Sequence, residues 1–281
     1  MHLLRSKYAL RSPVMVSAFA GWNDAAEAAT NAVSHLLKVW DSHLIAEVDV
    51  EDYYDFQVNR PTIKVDEQSL RRISWPTTSV YEVTTPHLAH DFLVVNGIEP
   101  SMRWQSFSKD LLDLADDYEV ETSITFGSLL ADTPHTRPIV VTTSGANPEI
   151  SNRLGISISK YEGPTGIVGV LQDFASKRDI DALSLWASVP HYVSTPPCPK
   201  ASLALVNALE DFLSIEIPLL DLTESASNWE NQVNKIARED NEIGEYVKEL
   251  EKSKDAADLP EITGDSIARE VERFLRSNPE V

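Results

Sequence analysis

A single cysteine, Cys198, among 281 residues means that no disulfide can form within the chain. That scarcity fits a reducing compartment and excludes a disulfide-stapled scaffold. No uninterrupted apolar run approaches the ~18 residues a membrane-spanning helix needs. The opening Met1-His2-Leu3-Leu4-Arg5-Ser6-Lys7 lacks the apolar centre of a secretory signal, so a cytoplasmic location is expected. Basic residues are also short: 24 Lys and Arg stand against 44 Asp and Glu, for a net charge of −20. Such a field repels phosphate backbones and anionic lipid, so neither nucleic acid nor a membrane surface is an expected partner.

Motifs that would declare a chemistry are missing too. There is no GxGxxG or GxxxxGK(S/T) phosphate loop, no HExxH and no GxSxG nucleophile elbow. His87 and His90, with Asp91 beside them, have i, i+3 spacing but sit in an expected loop, and no metal or cofactor is predicted. Cys198 lies between Pro197 and Pro199 with only Lys200 to activate it, and is read as incidental.

What the chain does have is architecture. Apolar residues make up 42% and charged residues 24%, enough to bury a sizeable core. Residues 13–19 form an apolar run that reads as a buried strand. Trp22, Ala26, Ala29, Val33, Leu36 and Trp40 then recur in steps of four and three, which predicts one stripe of a helix. Asp24 and Glu27 have capping-box spacing at its start. Further strands are predicted at His43–Val50, Phe92–Val95, Val120–Phe126, Ile139–Thr143, Gly155–Tyr161 and Ile180–Ala187, with helices over about 101–117, 167–177 and Lys200–Leu213. Residues 60–84 read as a hairpin or edge-strand excursion. Alternating strands and helices imply a three-layer α/β/α domain with a mostly parallel central sheet.

After Pro218 the composition shifts. Residues 221–281 hold 16 acidic and 8 basic residues and no convincing strand. Trp229, Val233, Ile236, Asp240, Ile243, Val247 and Leu250 form a heptad seam, with Asp240 its one charged member. This predicts a core domain over 1–220 and an acidic helical subdomain over 221–281, its long helix pairing with 265–276.

In a parallel sheet the strand ends gather polar residues at one edge, where ligands of open α/β folds bind. Gly21, Asn23, Asp24, Gly163, Thr165 and Gly166 are the candidate ligand-binding residues there. Glu99, Ser144 and His191 are the catalytic candidates, since a carboxylate, a hydroxyl and an imidazole could in principle form a hydrolytic set. Against a bound phosphate, Asp24 and Glu162 place negative charge where an anion would sit.

Several of these segments together resemble the proteasome assembly chaperone 2 family, in its bacterial branch. They are Phe19-Ala20-Gly21-Trp22-Asn23-Asp24-Ala25, Gly97-Ile98-Glu99-Pro100 with Arg103-Trp104, and Tyr161-Glu162-Gly163-Pro164-Thr165-Gly166. Ala187-Ser188-Val189-Pro190-His191-Tyr192 and the acidic heptad helix starting at Trp229 complete the match, which runs from about 14 to 250. The resemblance implies a core similar to purine nucleoside phosphorylases, followed by helices. Eukaryotic members of that family pair with a partner subunit to guide proteasome ring assembly, and archaeal members form homo-oligomers. It therefore implies a protein-binding, assembly-chaperone-like module, with a protein partner and a homo-oligomer expected. By analogy with phosphorylase-like folds, the first oligomer to expect is a trimer. The hydrophobic-tyrosine tail of the chaperones has no counterpart in Ser277-Asn278-Pro279-Glu280-Val281. The other reading is a phosphorylase- or hydrolase-like enzyme using the polar strand edge, with Asn23, Asp24, Glu99, Ser144 and His191 as the residues to test.

Overall fold

The computed structural model describes residues 1–4, 9–65, 70–145, 157–158, 160–178 and 180–258. A central strand shows why the apolar runs are continuous. In β2 (Val14–Ala20) successive side chains point to opposite faces, and both faces are covered. Val14, Val16 and Ala18 enter one hydrophobic cluster. Met15 and Phe19 enter the other. The strand β7 (Phe92–Ile98) repeats the division, with Phe92 and Val94 on one side and Leu93 and Val95 on the other. Helices α1 (Ala28–Val39) and α5 (Pro199–Leu213) cover the first face, and α3 (Trp104–Asp117) and α4 (Ile167–Ser176) the second. The short α2 (Val50–Tyr53) adds Tyr53 to that second cluster.

The remaining strands are β1 (His2–Leu3), β3 (Asp41–Glu47), β6 (Thr78–Thr84), β8 (Thr122–Ala131), β9 (Val141–Ser144), β10 (Ser157–Ile158) and β11 (Asp181–Pro190). They form one nine-stranded sheet in the order β1-β3-β6-β7-β2-β8-β11-β9-β10. Its centre, β7-β2-β8-β11, is parallel. Its flanks are not: β1 on β3, β3 on β6, β6 on β7 and β9 on β11 are antiparallel. The mostly parallel sheet expected from the sequence is thus a mixed sheet with a parallel centre. Connection length explains two of these antiparallel pairings, β6 on β7 and β9 on β11. Only residues 85–91 join β6 to β7, and only 132–140 join β8 to β9, too short for the crossover a parallel pair requires.

Strand β6 belongs to the main sheet, whereas the sequence placed all of 60–84 in an excursion. The excursion itself is smaller: β4 (Thr62–Val65) and β5 (Arg71–Ser74) pair antiparallel as a separate two-stranded arm.

The C-terminal helices depart from one continuous rod. Helix α6 (Leu222–Glu239) ends at Asp240, whose backbone is extended, and α7 (Asn241–Asp258) follows at once. The Asp240 carboxylate accepts the Glu242 and Ile243 N–H groups at 2.9 and 3.2 Å. The charged member of the heptad seam is therefore an N-cap, and the seam breaks there. Trp229 and Val233 of α6 join the cluster that α5 and the sheet share. Helix α7 returns onto the 132–137 loop, where Arg137 makes a two-pronged ion pair with Asp255, both contacts 2.8 Å. The expected pairing with 265–276, like the chain's last five residues, lies outside the described residues. Among the described residues, no helix is long and apolar enough to cross a membrane.

Candidate functional site

The turn after β2 is built from conformations that few sequences accept. Gly21 has φ +131°, and Ala26 and Glu27 are both left-handed at +51° and +54°. Those two left-handed residues put the 22–27 segment out of phase with α1. Trp22, expected on the buried stripe, is consequently 64% exposed, while Asn23 beside it is 1% exposed.

Asn23, Glu99 and the start of α4 form one polar cluster. The Asn23 side-chain N–H donates to Glu99 Oε1 at 2.6 Å. The same oxygen accepts the Ile167 backbone N–H at 2.8 Å. The N-terminus of α4, where an anionic ligand would otherwise find free N–H donors, already holds a carboxylate of the protein. Gly166 fits tightly beneath it, since a Cβ there would lie 2.3 Å from the Asn23 amide. Gly21 is similarly close, a Cβ there falling 3.3 Å from Glu99 Cβ. Asn23 Oδ1 is buried without a hydrogen-bond partner. Gly21, Asn23, Glu99 and Gly166 therefore do come together, because β2 and β7 are parallel neighbours.

Asp24 faces the other way. Its carboxylate accepts the Ala29 and Thr30 N–H groups at 2.7 and 3.3 Å and also the Thr30 hydroxyl. Ser128 Oγ donates to it at 3.4 Å, tying the turn to β8. Asp24 thus caps α1 from five and six residues back. No side-chain hydrogen bond from Glu27 completes the capping box the spacing suggested. Burial pushes the Asp24 carboxyl above its ordinary range, opposed by the Thr30 and Ala29 hydrogen bonds.

The other candidates lie elsewhere. Gly163 and Thr165 are exposed on the loop before α4. Ser144 Oγ lies 2.5 Å from Ser184 Oγ and donates to Gln172 Oε1 at 3.2 Å. His191 Nδ1 pairs with Asp132 at 3.1 Å and stands edge-on to Tyr192 and Tyr246. Ser144, His191 and Glu99 each bond to a separate set of partners. Asp91, beside His87 and His90, is held by the Arg11 guanidinium at 2.8 and 3.0 Å and by the Thr85 N–H at 2.9 Å. Burial pushes the Cys198 thiol up to about 11, away from thiolate chemistry at neutral pH.

One functional-looking cluster carried no motif. His135 is fully buried between the core and α6. The Tyr192 hydroxyl accepts the His135 backbone N–H and meets its Nδ1, both at 2.7 Å, so it donates to the ring nitrogen. That leaves Nε2–H to donate to Asn234 Oδ1 at 3.3 Å. Burial lowers the His135 pKa, with Lys200 adding to the effect, which keeps the imidazole neutral. Lys200 closes the cluster by bonding to the His135 carbonyl at 2.5 Å and Glu230 at 2.6 Å. Only the Pro134-His135 loop between two strand runs hinted at it.

A layered mixed α/β body with a closed polar turn and a docked pair of helices defines the class of protein. The model of the PAC2 family matches residues 18–237, and the chain belongs to that family. The matched span contains most of the segments that carry the resemblance, from Phe19 to Trp229. A PAC2 family protein from Streptomyces avermitilis is 50% identical, with 84% of this chain and 99% of that chain covered and a TM-score of 0.77. The Mycobacterium tuberculosis proteasome-assembly chaperone homologue Rv2125 is 44% identical, with 83% and 99% covered and a TM-score of 0.76. Pyrococcus furiosus PbaB, an archaeal proteasome activator, shares the fold at 16% identity, with 82% and 96% covered and a TM-score of 0.64. Among curated proteins nothing matches.

Proposed function

We propose that this chain is a protein-binding, assembly-chaperone-like module of the cytoplasm, acting on proteasome subunits as a homo-oligomer. The observation that carries this reading is the 44% identity, over nearly the whole length of the relative, to a proteasome-assembly chaperone homologue. The polar turn supports it, since Glu99, Asn23 and Asp24 direct their hydrogen bonds to the protein's own groups. In this reading residues 221–258 form a helical unit docked on the core, and the layered body is like that of purine nucleoside phosphorylases. That likeness makes a trimer the first assembly to test.

The test is association of the purified full chain with purified proteasome subunits, followed by native mass spectrometry and by the rate of ring assembly. Stable complexes and faster assembly are expected. The absence of both a complex and any change in rate would sink the reading.

A second reading, a phosphorylase- or hydrolase-like enzyme, is favoured by one observation: the buried, unpartnered Asn23 Oδ1 beside Glu99. Turnover of nucleosides or esters that Glu99→Gln abolishes would establish it. Turnover indifferent to both Glu99→Gln and His191→Ala would discard it.

A further inference from the structure

Helix α7 is joined to the body in a different way from α6. Trp229 and Val233 place α6 in the cluster it shares with α5 and the sheet. The buried apolar residues of α7, Val247 and Leu250, belong to neither cluster among the described residues. Its bonds to the body are polar. Arg137 Nε and Nη2 donate to the two carboxylate oxygens of Asp255, both at 2.8 Å, and Nη1 donates to Glu251 at 3.3 Å. The Thr136 hydroxyl donates to the same Glu251 oxygen. The Tyr246 hydroxyl donates to Asp132 at 3.3 Å, and its ring stands edge-on to His191 and Tyr192, with centres 5.4 and 6.0 Å away.

The sequence makes this attachment local. Residues 241–258 hold six acidic and three basic residues, in a protein whose net charge is −20. Like charge therefore opposes docking, and Arg137 offsets two of the six carboxylates at once. The extended Asp240 separates α7 from α6, so the helix can turn away there without unwinding. Asp240 also caps α7 through the Glu242 and Ile243 N–H groups, which satisfies that end whether or not the helix is docked. Gly244 sets the close return, since a Cβ there would lie 2.5 Å from the Ala237 carbonyl oxygen. Under the docked helix lies a cleft of about 380 Å³ lined by His135, Thr136, Asn234, Gly244, Val247 and Glu251.

We infer that α7 is a polar latch. Released from Arg137, it swings at Asp240 as a unit, opens this cleft and uncovers Asp132, Thr136 and Tyr192 beside the C-terminal ends of β8 and β11, while α6 stays in the core. The release forfeits little apolar burial, which places it among local openings of low free energy. The latch belongs to this chain alone and does not depend on which partner the protein takes.

The experiment is amide hydrogen exchange of the purified full chain at neutral pH. In wild type, the 245–258 amides are expected to exchange as one group, faster than those of α6 and β2. Arg137→Gln is expected to speed α7 exchange about tenfold or more and leave α6 and β2 unchanged, because a charge-assisted pair is lost. Glu251→Gln/Asp255→Asn breaks the same pair from the other side, and Gly244→Ala opens the return at the hinge, so both should act alike. Lys252→Gln is an equal change of charge at an exposed position and should alter α7 exchange by less than about twofold. Wild-type α7 amides exchanging at the rate of α6 overturn the latch. Exchange unmoved by Arg137→Gln, or sped as much by Lys252→Gln, does the same. Uniform acceleration of α6, α7 and β2 in both pair-breaking variants also overturns it, since α7 would then unfold with the core.

Discussion

The turn after β2 and the β4–β5 arm are both irregular excursions from the sheet, and they treat their side chains in opposite ways. At the turn, Asp24 and Glu99 bond to helix N-termini of the same chain, Asn23 bonds to Glu99, and Gly21 and Gly166 lie close against Glu99 and Asn23. In the arm, Ile63, Val65 and Ile73 face outward from a two-stranded antiparallel ladder. The polar residues that looked most like a binding site hold the fold together. The surface left uncovered is the apolar one.

The sharpest way to break this contrast is at Gly166. Alanine there puts a Cβ 2.3 Å from the Asn23 amide. Overpacking of this kind is expected to lower unfolding free energy by about 2–3 kcal/mol, seen as a lower urea midpoint at an unchanged slope. A midpoint equal to wild type would mean that the turn is looser than its contacts show.

Asp91, at the other end of β7, comes next. Burial alone would raise its pKa, but hydrogen bonds from Arg11 and Thr85 outweigh it and hold the carboxyl down at about 2. Against an unfolded value near ~3.9, the group contributes about 2 kcal/mol, present above pH ~4 and lost as pH falls through about 2. Asp91→Asn should remove that contribution at pH 7 and flatten the acid limb of the stability curve. An unchanged limb would show that other carboxylates set it.

His135 should give a smaller effect. Its folded pKa lies below the unfolded ~6.5, so its contribution is present above that value and is lost as pH falls through the interval beneath it. Melting temperatures at pH 7.5 and 5.5 should differ less in His135→Gln than in wild type. Equal differences would exclude His135 as a source.

The smallest change is expected from Ile63→Ser, within about 0.5 kcal/mol in fold stability, because the side chain is already exposed. A larger loss in the isolated protomer would show that the arm packs on its own body, and would erase the contrast.

The parallel centre of the sheet was legible because strands buried on both faces read as unbroken apolar runs. The direction of β6 and β9 was not, since loops 85–91 and 132–140 decide it by length and composition is silent on that. Trp22 was misplaced because periodicity was extended backwards through Ala26 and Glu27, whose left-handed backbone resets the phase. At the turn, the capping role of Asp24 was legible and its targets were not, as the turn lengthens the loop between cap and helix. Asp240 stood out as the odd member of its seam, and that oddity marked the helix break. Gly21, Asn23, Glu99 and Gly166 could be grouped because they end neighbouring parallel strands or begin a helix. Ser144 ends β9 and His191 follows β11, strands whose order in the sheet no local pattern specifies.

The tryptophans turn this layout into an optical instrument. Trp22 in the turn and Trp75 at the root of the arm are 64% and 48% exposed, whereas Trp40 and Trp229 are buried. Iodide should therefore quench a red-shifted fraction of the fluorescence that belongs to the two compared regions. Replacing Trp22 or Trp75 by phenylalanine, one at a time, assigns that fraction. A partner settling on either surface then announces itself as a blue shift from a known position.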